Sequence, residues 1–70
     1  MAEQLLNCLK DERARLGLTQ AELADRVGVS RKTINTVENG IFIPSTTLAL
    51  KLASALGRQV EDIFQLPPQD

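Results

Sequence analysis

The chain has no histidine, no tryptophan and no tyrosine, and only two phenylalanines in 70 residues. Without histidine it lacks the side chain that most often serves as a general base or metal ligand near neutral pH. With so few aromatics, a core has to be assembled from Leu, Ile, Val and Ala. The single cysteine, Cys8, can close neither an internal disulfide nor a cysteine-rich zinc site, and such sparing use fits a reducing compartment. No apolar run reaches the ~20 residues of a membrane span. The N-terminus shows no basic segment followed by an apolar one, so no secretion signal is read there. A cytoplasmic location follows, with no membrane contact. Basic charge is not in excess: eight Lys and Arg against nine Asp and Glu leave a net charge of −1, which argues against a general nucleic-acid coat. No metal, cofactor or small-molecule ligand is expected, and without nucleophile–base pairs no enzymatic activity is expected either.

What is present reads as one small domain, whose net stability should be about 4–10 kcal/mol. The pattern predicts five helices and no strand, an all-α fold. The first runs from about Glu3 to Leu16, with Leu6, Leu9, Arg13 and Leu16 at helical spacing and Gly17 as a stop. The second begins after Thr19, which forms a capping-box pair with Glu22. The third begins after Ser30 and ends near Asn39 and Gly40. Ser45 caps a fourth, whose apolar stripe is Leu48, Leu52, Ala55 and Leu56, and Gly57 ends it. A short fifth helix spans about Val60 to Gln65, turns Val60, Ile63 and Phe64 inward and stops at Pro67 and Pro68. Residues 1–66 form the domain, and 67–70 are expected to fray.

From Gln20 to Asn39 the chain reads as two short helices joined by a tight corner. Leu23, Ala24 and Val27 supply one inner face, and Ile34 and Val37 the other. Ala24 permits a close helix crossing, and Gly28 can take the positive φ of a sharp turn. This is the spacing of a helix-turn-helix whose second helix enters the DNA major groove. At about 100° per residue, Ile34, Val37 and Glu38 share one arc of that helix, and Arg31, Lys32, Asn35, Thr36 and Asn39 share another. The second arc is polar, carries two cations and has no carboxylate. Arg and Lys can donate to guanine, Asn can pair with adenine, and Thr can touch a thymine methyl or accept a bond. From Arg26 to Lys51 the only acid is Glu38, against Arg26, Arg31, Lys32 and Lys51. Gln20, at the N-terminus of the second helix, either donates to a phosphate or is a solvated first-turn residue. Asn39 either donates to phosphate or helps to end the helix.

Arg13 and Glu38 each interrupt an apolar stripe. Buried ions are costly unless paired, so the economical reading is a structural ion pair between the first and third helices. The other reading lets both side chains reach solvent.

These residues carry a family resemblance. Gly17-Leu18-Thr19-Gln20-Ala21-Glu22-Leu23-Ala24, Val27-Gly28-Val29-Ser30, Glu38-Asn39-Gly40, Pro44-Ser45 and Ala55-Leu56-Gly57 closely resemble the Cro and phage-repressor (Xre) helix-turn-helix family. The likeness runs from about Leu9 to Phe64. It implies a compact five-helix, lambda-repressor-like domain that binds double-stranded DNA, usually as a homodimer on a near-palindromic operator. By family position, Gln20 and Asn39 would contact phosphates and Arg31, Lys32 and Thr36 would face bases. Ser30 and Asn35 are further candidate contacts, to phosphate and base respectively. Arg13 and Glu38 fall where family members often place a buried ion pair. Two positions depart from the family pattern. Ile41 stands where a basic residue often follows the Asn-Gly, and Gln59 stands where Ser or Thr often caps the fifth helix.

Two apolar patches are candidates for a dimer or partner interface. One is Ile41, Phe42 and Ile43, unless Phe42 and one Ile cap the core. The other is Val60, Phe64 and Leu66. The leading expectation is a transcription regulator, a repressor associated with the nucleoid of a bacterium or phage-infected cell. The alternatives are an antitoxin or controller that regulates its own promoter, and an interaction module that has lost DNA binding. Overall acidity and the Ile41–Ile43 loop favour the module; the acid-free face opposes it.

Overall fold

Three hydroxyl side chains set where the central helices start. In the computed structural model, which describes residues 4–68, Thr19, Ser30 and Ser45 accept the backbone N–H groups of Glu22, Thr33 and Leu48. Each bond satisfies a donor that the first helical turn leaves orphaned. The helices they open are α2 (Gln20–Val27), α3 (Arg31–Glu38) and α4 (Thr46–Leu56). Before them lies α1 (Leu9–Arg15), and after them α5 (Val60–Ile63). The Glu22 carboxylate completes the capping box by accepting the Thr19 N–H at 2.9 Å. Gly28 takes φ +75° between α2 and α3, the left-handed geometry that makes the corner.

The core is aliphatic. Leu9, Leu23, Ile34, Val37, Leu52, Leu56 and Ile63 are fully buried, and Ala24 is close to it. α2 packs against both α3 and α4, so the helix-turn-helix pair is backed by the rest of the domain. No helix among the described residues is long and apolar enough to cross a membrane.

The structure corrects the expectation of an all-helical chain at both ends. Leu6–Asn7 (β1) pairs antiparallel with Phe64–Gln65 (β2), Leu6 opposite Gln65 and Asn7 opposite Phe64. The first helix therefore begins at Leu9 rather than near Glu3, which lies outside the described residues. Asn7 makes the switch: its Oδ1 accepts the Leu9 N–H at 3.1 Å and its Nδ2 donates to the Val37 carbonyl at 3.0 Å. The Cys8 N–H then donates to the Ile63 carbonyl at 2.9 Å. Leu6 and Leu16, expected on a buried stripe, are both exposed; Leu16 follows the helix, and Leu18 is the buried residue beyond it. At the other end, α5 stops at Ile63 instead of Gln65. Phe64 turns extended, at φ −118° and ψ 131°, to pair with Asn7, so the ladder and not Pro67–Pro68 ends the helix. Pro67 is half-buried, while Gln69 and Asp70, the end of the segment expected to fray, lie outside the described residues.

Candidate nucleic-acid interface

α3 turns Ile34 and Val37 into the core and leaves Arg31, Lys32, Asn35 and Asn39 exposed, with Thr36 half-buried. Among the described residues neither Arg31 nor Lys32 is in an ion pair. The helix does contain one acid, Glu38, but its side chain is only 4% exposed and faces inward. Arg13 Nε donates to Glu38 Oε2 at 2.7 Å, and Arg13 Nη2 to Oε1 at 3.3 Å. Gln20 Nε2 donates to the same Oε1 at 3.0 Å, and Arg13 Nη1 reaches the Leu18 carbonyl at 2.8 Å. The bonds it donates to Glu38 hold the Arg13 guanidinium still more firmly in its charged form. This cluster fastens α1, α2 and α3 together and neutralises the one carboxylate near the outer face.

Asn35 is a second junction. Its Oδ1 accepts from Gln20 Nε2 at 3.2 Å and from Asn39 Nδ2 at 3.2 Å. Asn39 Nδ2 also donates to the Asn35 backbone carbonyl at 2.8 Å. Turning the Asn35 carboxamide over would set its NH2 against two other NH2 groups, so the network fixes its orientation. Asn35 therefore presents its Nδ2 donor outward. Two-pronged pairing with adenine needs the oxygen as well, so this arrangement suits an acceptor edge such as guanine N7 or O6. Gln20 is likewise not a free solvated residue: its amide donors already serve Asn35 and Glu38. Ser30 caps α3, and its hydroxyl lies 3.0 Å from that of Thr33. Gln20, Ser30 and Asn39 thus hold α3 in place.

The two apolar patches fare differently. Ile41, Phe42 and Ile43 are all exposed, so Phe42 and one Ile do not close the core as one reading had it. The two isoleucines diverge: Ile41 lies beside Lys32 and Thr36, Ile43 lines a crevice with Leu5, Pro44 and Phe64, and Phe42 borders both. Phe64 still lines one apolar groove with Val60 and Leu66, although little of it reaches the surface. It is only 8% exposed, because the β1–β2 pairing turns it into the core. Val60 is half-buried and Leu66 is 65% exposed. Sequence reasoning missed Leu50, which is 57% exposed and lines an apolar groove of about 470 Å³ with Leu5, Ala49, Val60 and Leu66. The available signal was an apolar residue two places from Leu48 and Leu52, and so off their stripe.

Family comparison agrees with this geometry. The helix-turn-helix family HTH_3 matches residues 9–63. The chain belongs to this Xre/Cro-like family of DNA-binding transcriptional regulators. Particular relatives sharpen the assignment. An uncharacterised HTH-type transcriptional regulator of Methanothermobacter thermautotrophicus is 54% identical over 59 residues, covering 83% of this chain and 86% of its own. YgzD of Bacillus subtilis, similarly named, is 41% identical over 64 residues, covering 91% and 97%. Both carry the names of regulators, not enzymes. Among solved structures, the restriction-modification controller protein C.AhdI from Aeromonas hydrophila matches with a TM-score of 0.74 at 35% identity, covering 77% of this chain and 82% of that one.

Proposed function

We propose that this chain is a sequence-specific transcription regulator, a repressor that binds a near-palindromic operator as a homodimer in the cytoplasm. The observation that carries the reading is the outer face of α3: Arg31, Lys32 and Asn35 exposed, uncompensated by any acid, on a helix anchored from behind by Arg13, Glu38 and Gln20. Such a face offers donors to base edges and cations to phosphates. One small domain covers little DNA, so useful specificity calls for two half-sites about one helical turn apart. The groove lined by Leu50, Val60 and Leu66 supports a dimer, since it is apolar and shares no residue with α3. Likeness to a restriction-modification controller favours a second reading, a controller acting on its own promoter. Selection from random duplex DNA with the full chain tests the proposal. It should enrich an inverted repeat with half-sites one turn apart; recovery of no sequence preference would refute it.

A further inference from the structure

The loop after α3 forms, with that helix, a shallow apolar notch of about 330 Å³ walled by Lys32, Thr33, Thr36, Ile41 and Phe42. The loop is fastened to the helix: the Thr36 carbonyl accepts the N–H groups of Ile41 at 3.0 Å and Phe42 at 3.2 Å. The two threonine hydroxyls are turned onto the protein. Thr36 Oγ1 donates to the Thr33 carbonyl at 2.9 Å, and the Thr33 hydroxyl meets that of Ser30 at 3.0 Å. With those hydroxyls engaged, the notch offers a mainly apolar surface, to which Lys32 and an Ile41 that is 77% exposed also contribute. A cation stands on the rim and none of the walls is acidic. A ligand suited to this surface carries a small apolar group among anions. In duplex DNA that description fits the 5-methyl group of a pyrimidine, which projects into the phosphate-lined major groove.

We infer that the Thr36–Ile41–Phe42 notch reads a pyrimidine 5-methyl group in the major groove, an inference that rests on the DNA-binding reading above. The methyl group belongs either to thymine or to 5-methylcytosine. Ile41 then contributes by contact what a basic residue at its position would contribute by charge.

The test uses the full chain and the duplex recovered by selection. Each thymine is replaced singly by uracil, which removes only the methyl group, and each cytosine is separately methylated at C5. Losing or gaining one buried methyl group should change affinity about four-fold. Thymine as the source gives a loss at one uracil position per half-site; 5-methylcytosine gives a gain at one cytosine. Ile41→Ala should erase that difference while leaving the melting temperature unchanged, and Ile41→Val should retain most of it. If affinity ignores every methyl group, or if Ile41→Ala preserves the methyl effect in full, the inference is overturned although DNA binding stands. If no sequence is selected at all, it falls together with the functional reading.

Discussion

Glu38 is the one acid on α3, and its side chain is nearly inaccessible. An anion in that position is stable only with its hydrogen bonds made, and Arg13 and Gln20 make them. Arg13→Ala leaves the carboxylate buried without its partner. It should lower unfolding free energy in urea by about 3–5 kcal/mol, while replacing both residues with apolar ones of similar volume should recover much of it. Arg31→Ala, by contrast, removes an exposed cation. It should leave the urea midpoint in place but cost about 1–3 kcal/mol of affinity for the selected site and relax preference at one base. At this scale part of the site was legible in the sequence. Arg13 and Glu38 stand out because ions interrupt apolar stripes. The Gln20–Asn35–Asn39 junction left no such mark, since polar residues on a polar face are ordinary until interhelical geometry brings them together.

At the scale of elements, the fold depends on how helices start and turn. Thr19→Ala removes a cap and should cost about 1 kcal/mol in thermal or urea unfolding. Gly28→Ala meets no atom within 4 Å, so its cost is purely that of left-handed backbone, about 1–2 kcal/mol. The capping also has an acid signature. The Thr19 N–H holds the Glu22 carboxyl below the ordinary carboxylate range, and hydrogen bonds from Arg58 and Arg15 do the same for Glu12. A carboxyl depressed in the folded state stabilises it above the ordinary range, and that contribution is lost as pH falls through the lowered value. No histidine titrates near neutrality. The urea midpoint should therefore stay flat from about pH 6 to pH 8 and fall below about pH 4. The starts of α2, α3 and α4 were legible because Thr19, Ser30 and Ser45 carry a mechanism in a few adjacent residues. The β1–β2 pair was not, because two-residue strands are too short to show alternation and their partners lie 57 positions or more apart in the chain, at Asn7 with Phe64 and Leu6 with Gln65.

For the whole molecule, two faces differ in chemistry. The α3 face is polar and cationic, whereas the face bearing Leu50 and Leu66 is apolar and exposed. Leu50→Glu with Leu66→Glu should turn a sedimenting dimer into a folded monomer with an unchanged helical circular dichroism spectrum and weaker operator binding. Wild-type chain that sediments as a monomer, both free and on operator-length DNA, would remove the two-half-site arrangement. The apolar run 41–43 shows why a surface is hard to read from sequence: Ile41 and Ile43 leave one loop toward different neighbours, with Phe42 bordering both.

On the proposed reading, α3 is the side of the molecule that meets DNA. Backbone amide chemical shifts of the full chain, followed as its selected duplex is titrated in, report that most directly. The largest changes are expected at Arg31, Lys32, Asn35 and Thr36, with Gln20 and Asn39 following as their network adjusts. Changes centred on Leu50 and Leu66 while residues 31–36 stay still would contradict it.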